Sequence, residues 1–241
     1  MASTPLYPNI LSKKGNFCKR SFNWPAKVIG LTGGIASGKS TVGRMLSEQD
    51  FPVIDTDRLA KEVVEPGKQA LEELVKVFGK EILRDNGTLD RHQMLNVILT
   101  DADARQLVEN IIHPHVFKRM DQILQQLAAS GNNIVIVEVP LLFEASWQNL
   151  FDYIVSVVAP EPICIKRLIE RKKMSIDMAS RWMATQIPQE VKAKRSDYVI
   201  HNNAGLDELQ IQVDRLSEVL KHLDSETSGN QGKKCDRQEN A

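Results

Sequence analysis

Residues 30 to 41 read GLTGGIASGKST, a glycine-rich stretch that ends in a lysine and two hydroxyl side chains. The residues before it, 28 to 31, are apolar and favour a strand, and the residues after it, 42 to 46, place apolar side chains at helical spacing. The glycines therefore lie at a turn from a strand into a helix. Gly33, Gly38, Lys39 and Ser40 occupy the fixed positions of the pattern G-x-x-x-x-G-K-[ST].

This pattern predicts a phosphate-binding loop, or P-loop, and a strand before it with a helix after it makes a chance match less probable. Glycines let the backbone curl so that successive N–H groups point at one anion, and the helix N-terminus adds partial positive charge. Lys39 is expected to reach the β- and γ-phosphate oxygens of a bound nucleotide, Ser40 to place its hydroxyl on Mg²⁺, and Thr41 to contact the α-phosphate. The predicted nucleotide-binding residues are Gly34, Ile35, Ala36, Ser37, Gly38, Lys39, Ser40 and Thr41.

Two long apolar runs without alternation, NIVIVEVPLLF at 133 to 143 and YIVSVVA at 153 to 159, are typical of parallel strands covered on both faces. Together with DYVIHN and a closing amphipathic helix through Leu223, they predict an α/β fold: a parallel sheet wrapped by helices. The helical block from about 60 to 130 is too long for a plain crossover and indicates an inserted subdomain, with its last helix interrupted at His113-Pro114.

Composition excludes several classes of protein. The 31 basic and 31 acidic side chains balance, so no global field favours nucleic acid or a membrane surface. Three scattered cysteines and the lack of a secretory signal favour a reducing, cytoplasmic location. Residues 1–26 are expected to be an N-terminal extension, 27–223 the folded domain, and the polar residues 224–241 a disordered tail.

A P-loop by itself does not identify the reaction that a protein catalyses. No NKxD motif marks a GTPase switch, and IVIVEVP lacks the Asp-Glu ending of motor-type ATPases. These observations favour a small kinase over a non-kinase NTPase or an inactive nucleotide-binding module. Acidic side chains that follow predicted strands are candidates for the site. Asp55 and Asp57 point the same way if the chain is extended there, and the alternative is that they cap a helix. Glu138 and, more weakly, Glu144 follow the next strand.

The chain resembles the dephospho-CoA kinase family over about residues 28 to 205. Besides the P-loop, the stretches that carry the resemblance are, in order, VIDTDRLAKEVVEPG, IIHPHVF, VEVPLLFE, RWMATQ and SDYVIHNNAG. The resemblance implies a P-loop fold like that of nucleoside-monophosphate kinases, with a core, a helical CoA-binding insert and a lid at about 165–190. It implies transfer of the γ-phosphate of ATP to the ribose 3′-hydroxyl of dephospho-CoA, by a monomer or weak oligomer.

The resemblance also suggests roles for individual residues. It makes Asp57 the base that accepts the 3′-hydroxyl proton, and it favours contact of His113 with the acceptor. Lys39 and Arg171, the latter as the lid arginine over ATP, complete the catalytic set. The candidate metal ligands are Ser40, from the P-loop pattern, and Glu138, which ends an apolar strand as a Walker-B acid does or is simply a glutamate exposed at the sheet edge. Asp55 is a candidate for supporting metal-bound water, Asn202 or Asn203 for bordering the adenine, and the apolar side chains around Trp182 are expected to pack.

Overall fold

The computed structural model describes residues 24–231, so most of the predicted extension and residues 232–241 lie outside the described residues. The chain divides into two compact units, one formed by Met1–Ile54 with Leu127–Ala241 and the other by Asp55–Gln126. The second unit is close to the range predicted for the helical insert. Trp24 and Ala26, assigned to the extension, are buried.

The first unit is built on a sheet with the strand order β2-β3-β1-β4-β5. β1 pairs in parallel with β3 and β4, and β4 pairs in parallel with β5, as the unalternating apolar runs predict. Gly33 at the end of β1 lies opposite Val157 of β4. The strands are β1 (Lys27–Gly33), β2 (Val53–Asp55), β3 (Ile134–Glu138), β4 (Tyr153–Val158) and β5 (Tyr198–His201).

One face of this sheet is covered by α1 (Lys39–Ser47) and α9 (Leu206–Gln231). Val42 and Leu46 of α1 and Val213 of α9 are among the buried side chains of this core. Residues 134 to 138 of β3 are all buried. This burial agrees with the predicted covering of the strands on both faces.

The remaining helices of the first unit are α6 (Glu161–Lys172), α7 (Ile176–Ala184) and α8 (Gln189–Lys194), and they cover the range predicted for a lid. The expectation that the apolar side chains around Trp182 pack inside is wrong. Ile176 is 62% exposed and Trp182 38%. α7 instead turns the small side chain of Ala179 into the interior, so its large apolar residues fall on the outer face.

The second unit is helical. Asp90 caps α4 by accepting hydrogen bonds from the backbone N–H groups of the first turn. Residues 86 to 88, NGT, form a turn before α4, in which Gly87 has a positive φ and Asn86 accepts from the Thr88 N–H. The helices are α2 (Thr56–Glu62), α3 (Gln69–Phe78), α4 (Arg91–Thr100) and α5 (Ala102–Ala129), with a 3-10 turn at Lys80–Ile82.

α5 corrects the predicted interruption at His113-Pro114, because one helix runs through the proline. Proline removes one backbone hydrogen bond and crowds the preceding turn. Val116, Met120 and Leu124 follow it at helical spacing and are buried. Burial of this apolar stripe outweighs the local penalty.

α9 corrects the predicted start of a disordered tail at Asp224. The helix continues to Gln231, so residues 224 to 231 are helical. The rest of the predicted tail lies outside the described residues. Within residues 24–231, no helix combines the length and the apolar character that crossing a membrane requires.

Candidate active site

The predicted P-loop connects the end of β1 at Gly33 to the start of α1 at Lys39. Gly38 has a φ of 103°, in the left-handed region that favours glycine. A Cβ atom there would also come within 2.1 Å of the Asn202 side-chain nitrogen. Both the turn and the close neighbour therefore require glycine at this position of the motif.

The carbonyl groups of the loop are held by two side chains from distant elements. Arg167 of α6 donates to the carbonyl oxygens of Ala36 at 3.2 Å and Ser37 at 3.3 Å. Asn202, which follows β5, donates to the Ser37 oxygen at 2.7 Å and accepts from Arg167 at 3.1 Å. In a trans peptide the C=O and the next N–H point in opposite directions. Holding the Ser37 oxygen therefore turns the Gly38 N–H away from Arg167 and toward the position expected for a phosphate.

Arg171 lies one turn further along α6, in the exposed last turn of the helix. The arginine that touches the loop in this structure is thus Arg167, to which the sequence analysis gave no role. Spacing alone does not separate the two, because residues four apart share one helix face. The assignment of Arg171 to the lid stays a prediction.

Lys39, Ser40 and Glu138 come together at the carboxyl end of the sheet. Glu138 is the last residue of β3 and is 6% exposed. Its Oε2 lies 3.2 Å from the Ser40 hydroxyl, which donates to it, and 4.0 Å from the Lys39 ammonium. The ammonium balances the charge that burial makes costly for the carboxylate. The two predicted metal ligands, Ser40 and Glu138, thus lie together in the structure, and their binding of a metal ion stays a prediction.

This arrangement fits a magnesium ion that is shared with phosphates. A hydroxyl and a carboxylate supply oxygen, the ligand that Mg²⁺ prefers, and Mg²⁺ usually takes only one or two protein carboxylates beside substrate phosphates. Within residues 24–231, no group of three or more His, Cys, Asp or Glu side chains could hold a metal ion by itself. Ser40 and Glu138 are therefore the residues that would hold it together with the nucleotide.

Gly43 makes room for Glu138. A Cβ atom on this residue of α1 would lie 1.9 Å from Oε1 of the carboxylate, closer than any two such atoms can stand. The glycine is in the interior of a helix, where it is unfavourable relative to alanine. Sequence reasoning gave Gly43 no role, because nothing local distinguishes it from any other helical glycine.

Residues 186 to 189, QIPQ, also contact the P-loop. Gln186 accepts from the Ile35 N–H at 3.0 Å. Gln189 packs so closely on Gly34 that a Cβ atom there would meet its side chain at 2.7 Å. Gln189 is itself anchored, because it accepts from the Ala159 N–H and donates to the Ala159 oxygen.

A buried ion pair holds this segment in place. Lys192 of α8 has a side-chain exposure of 0% and lies 2.8 Å from Glu144. Glu144 also accepts from the Ile187 N–H at 3.0 Å, next to Gln186. Lys192 donates in addition to the Pro140 oxygen, just past β3. Sequence reasoning placed Glu144 among the weaker candidates and missed Lys192, because a buried lysine carries no sequence signal of its own.

In the second unit, Asp55 and Asp57 have different surroundings. Asp55 ends β2 and caps α2, accepting from the N–H groups of Asp57 at 2.9 Å and Arg58 at 3.4 Å. Asp57 lies in the first turn of α2 and is exposed. The expectation that both point the same way on an extended chain is wrong, because the helix begins at Thr56. The capping alternative holds for Asp55.

His113 is half-buried in α5, with its ring edge-on to Phe117 at a centroid distance of 6.5 Å. Burial lowers the pKa of His113, and the Glu109 carboxylate partly offsets this effect. The neutral imidazole is therefore favoured at neutral pH. Contact of His113 with an acceptor stays a prediction.

Comparison with known proteins agrees with this geometry. The family model described as dephospho-CoA kinase matches residues 27–208, which is most of the chain. The chain belongs to the dephospho-CoA kinase family. The match begins at the first residue of β1 and ends within α9, so it includes every residue of the P-loop and Glu138.

Individual relatives give the same result. The dephospho-CoA kinase of Oceanobacillus iheyensis is 41% identical over 189 residues, which cover 78% of this chain and 95% of that protein. That of Carboxydothermus hydrogenoformans is 38% identical, covering 82% and 96%. The crystal structure of TT1252 from Thermus thermophilus has a TM-score of 0.71 and 31% identity, covering 82% and 98%. Dephospho-CoA kinase from Campylobacter jejuni has a TM-score of 0.56 and 25% identity, covering 80% and 96%.

Proposed function

We propose that the chain transfers the γ-phosphate of ATP to the ribose 3′-hydroxyl of dephospho-CoA. The observation that carries this proposal is family membership over residues 27–208 together with an assembled trio of Lys39, Ser40 and Glu138. The trio supports binding of a Mg²⁺-nucleotide, and family membership supports dephospho-CoA as the acceptor. The helical unit, Asp55–Gln126, is proposed to take the acceptor.

The nucleotide is held mainly by the P-loop. The backbone N–H groups of Gly38, Lys39 and Ser40, at the N-terminus of α1, are proposed to face the phosphates, and the Lys39 ammonium to contact the β- and γ-phosphate oxygens. Thr41 contacts the α-phosphate. Ser40 and Glu138 would hold Mg²⁺, whose positive charge would offset the negative charge of the phosphates during transfer. Arg171 is proposed to approach the phosphates from the lid, while Arg167 keeps the loop in shape.

The acceptor is activated by Asp57. Transfer forms a bond between the ribose 3′-oxygen and the γ-phosphorus and breaks the bond from that phosphorus to the β–γ bridging oxygen. ADP leaves, and the hydroxyl proton passes to the Asp57 carboxylate. His113, neutral at pH 7, is proposed to contact the acceptor as a hydrogen-bonding group without bringing another charge to the site.

A coupled assay tests the proposal. The chain is incubated with ATP and dephospho-CoA, ADP release is followed continuously, and CoA is identified by mass. Lys39→Ala serves as the control, because loss of this charge from the phosphate site removes several kcal/mol of transition-state stabilisation. ADP release that is independent of dephospho-CoA, or that persists unchanged in Lys39→Ala, would refute the proposed reaction.

A further inference from the structure

A basic pocket of about 390 Å³ lies within the helical unit, apart from every residue assigned above. Its wall includes one face of α5, on which His115, Lys118 and Arg119 fall at helical spacing. Glu62 at the end of α2 and Lys68 just before α3 also line it. The wall thus combines three permanent cations with one carboxylate, a surplus of two positive charges.

The charges of the pocket are unequally compensated. Arg119 pairs with Glu62 at 2.7 Å, and His115 lies 3.3 Å from Glu73. Lys68 and Lys118 are exposed, and among the described side chains neither has a carboxylate partner. The ammonium groups of Lys68 and Lys118 are therefore available to a ligand, beside an arginine that is held by Glu62.

This surplus matches a diphosphate. An internal diphosphate carries two negative charges at neutral pH, one on each phosphate, and offers several oxygens to ammonium donors. The N-terminus of α3, where no side chain caps the helix after Lys68, adds backbone N–H groups and partial positive charge to the same wall. The lysine and arginine side chains supply the net charge of the pocket, and the helix terminus adds to it.

The pocket also lies at a suitable distance from Asp57. Glu62 is five residues further along α2, so the two lie about 7.5 Å apart along the helix axis. In dephospho-CoA the 3′-hydroxyl and the 5′-diphosphate are separated by only one edge of the ribose and a methylene group. A ribose whose 3′-hydroxyl meets Asp57 can therefore place its diphosphate over the end of α2.

We infer that Lys68 and Lys118, with Arg119, bind the diphosphate of dephospho-CoA and so orient its 3′-hydroxyl on Asp57. This inference rests on the proposed function and names the part of the acceptor that the helical unit recognises. It makes the two lysines determinants of acceptor affinity, separate from the residues that hold ATP.

The test compares pocket lysines with matched lysines of the same unit. Lys68→Ala and Lys118→Ala are each expected to raise the KM for dephospho-CoA about tenfold, and the double variant more than either. The kcat at saturating acceptor and the KM for ATP should stay within about twofold of wild type. Lys76→Ala and Lys80→Ala remove exposed lysines outside the pocket and should leave all three constants unchanged.

Two further readouts separate charge recognition from loss of structure. Lys118→Arg keeps the charge and should restore most of the acceptor affinity. Raising the ionic strength from about 0.1 M to about 1 M should weaken dephospho-CoA binding in the wild type more than in the double variant, because salt screens exposed charges.

The outcomes are distinct. Pocket variants that match Lys76→Ala and Lys80→Ala, or that change the KM for ATP instead, overturn the inference and leave the proposed function standing. Failure of the wild-type chain to phosphorylate dephospho-CoA overturns the proposed function and this inference with it.

Discussion

At the residue scale, Gly43 determines whether Glu138 can stand beside Ser40. Gly43→Ala is expected to lower kcat at least tenfold, because a Cβ atom 1.9 Å from Oε1 must displace the carboxylate. The melting temperature should hold or rise, since alanine is favoured over glycine in a helix by up to about 1 kcal/mol. Gly205→Ala is the control, because a Cβ atom there meets open space. Unchanged turnover in Gly43→Ala would show that the position of Glu138 is not needed.

Asp55 and Asp57 allow a second test at this scale. Asp57→Asn should leave ATP affinity close to wild type and reduce transfer by about 10²–10⁴-fold, the usual contribution of a positioned base. Asp55→Asn is the matched control, because asparagine caps a helix about as well as aspartate, and it should preserve both stability and turnover. A nucleotide titration and a CoA product assay measure the two effects. Strong loss of activity in Asp55→Asn would instead support a role near the metal.

At the scale of elements, α8 is held to the core by the Lys192–Glu144 pair. Glu144→Gln leaves an ammonium group with no exposure and no opposing charge, and such losses cost about 3–5 kcal/mol. For a chain of this size that lowers the melting temperature by roughly 6–20 °C. Glu144→Gln combined with Lys192→Met should be less destabilised than Glu144→Gln alone, because the buried charge is gone.

The control for this element is Glu170→Gln, which breaks an exposed pair with Lys166 and should have little effect. Since Glu144 also anchors the backbone beside Gln186, the KM for ATP should rise with the loss of stability. Equal melting temperatures for Glu144→Gln and Glu170→Gln would contradict a structural role for the buried pair.

At the scale of the whole molecule, the residues proposed to bind the nucleotide and those proposed to bind the acceptor belong to different compact units. A non-hydrolysable ATP analogue at about one hundred times its Kd stabilises the folded state by about 2.7 kcal/mol. The unit with the P-loop should then melt about 5–10 °C higher. Asp57→Asn should show the same shift, and Lys39→Ala a much smaller one. Loss of the shift in Asp57→Asn would mean that the acceptor unit also holds the nucleotide.

The amino-acid sequence alone determined the P-loop and the parallel strands, because each depends on a local pattern. It marked Ser40 and Glu138 as separate candidates, and their contact is a tertiary one. Glycines at fixed spacing define the loop, and apolar runs without alternation define strands that are covered on both faces. An acid at the carboxyl end of such a strand is therefore a candidate for the site. Only the tertiary structure decided that Arg167 braces the loop, that Gln186 reaches Ile35, and that a lysine is fully buried against Glu144. These contacts join residues far apart in the chain, and burial changes what a charged or amide side chain does.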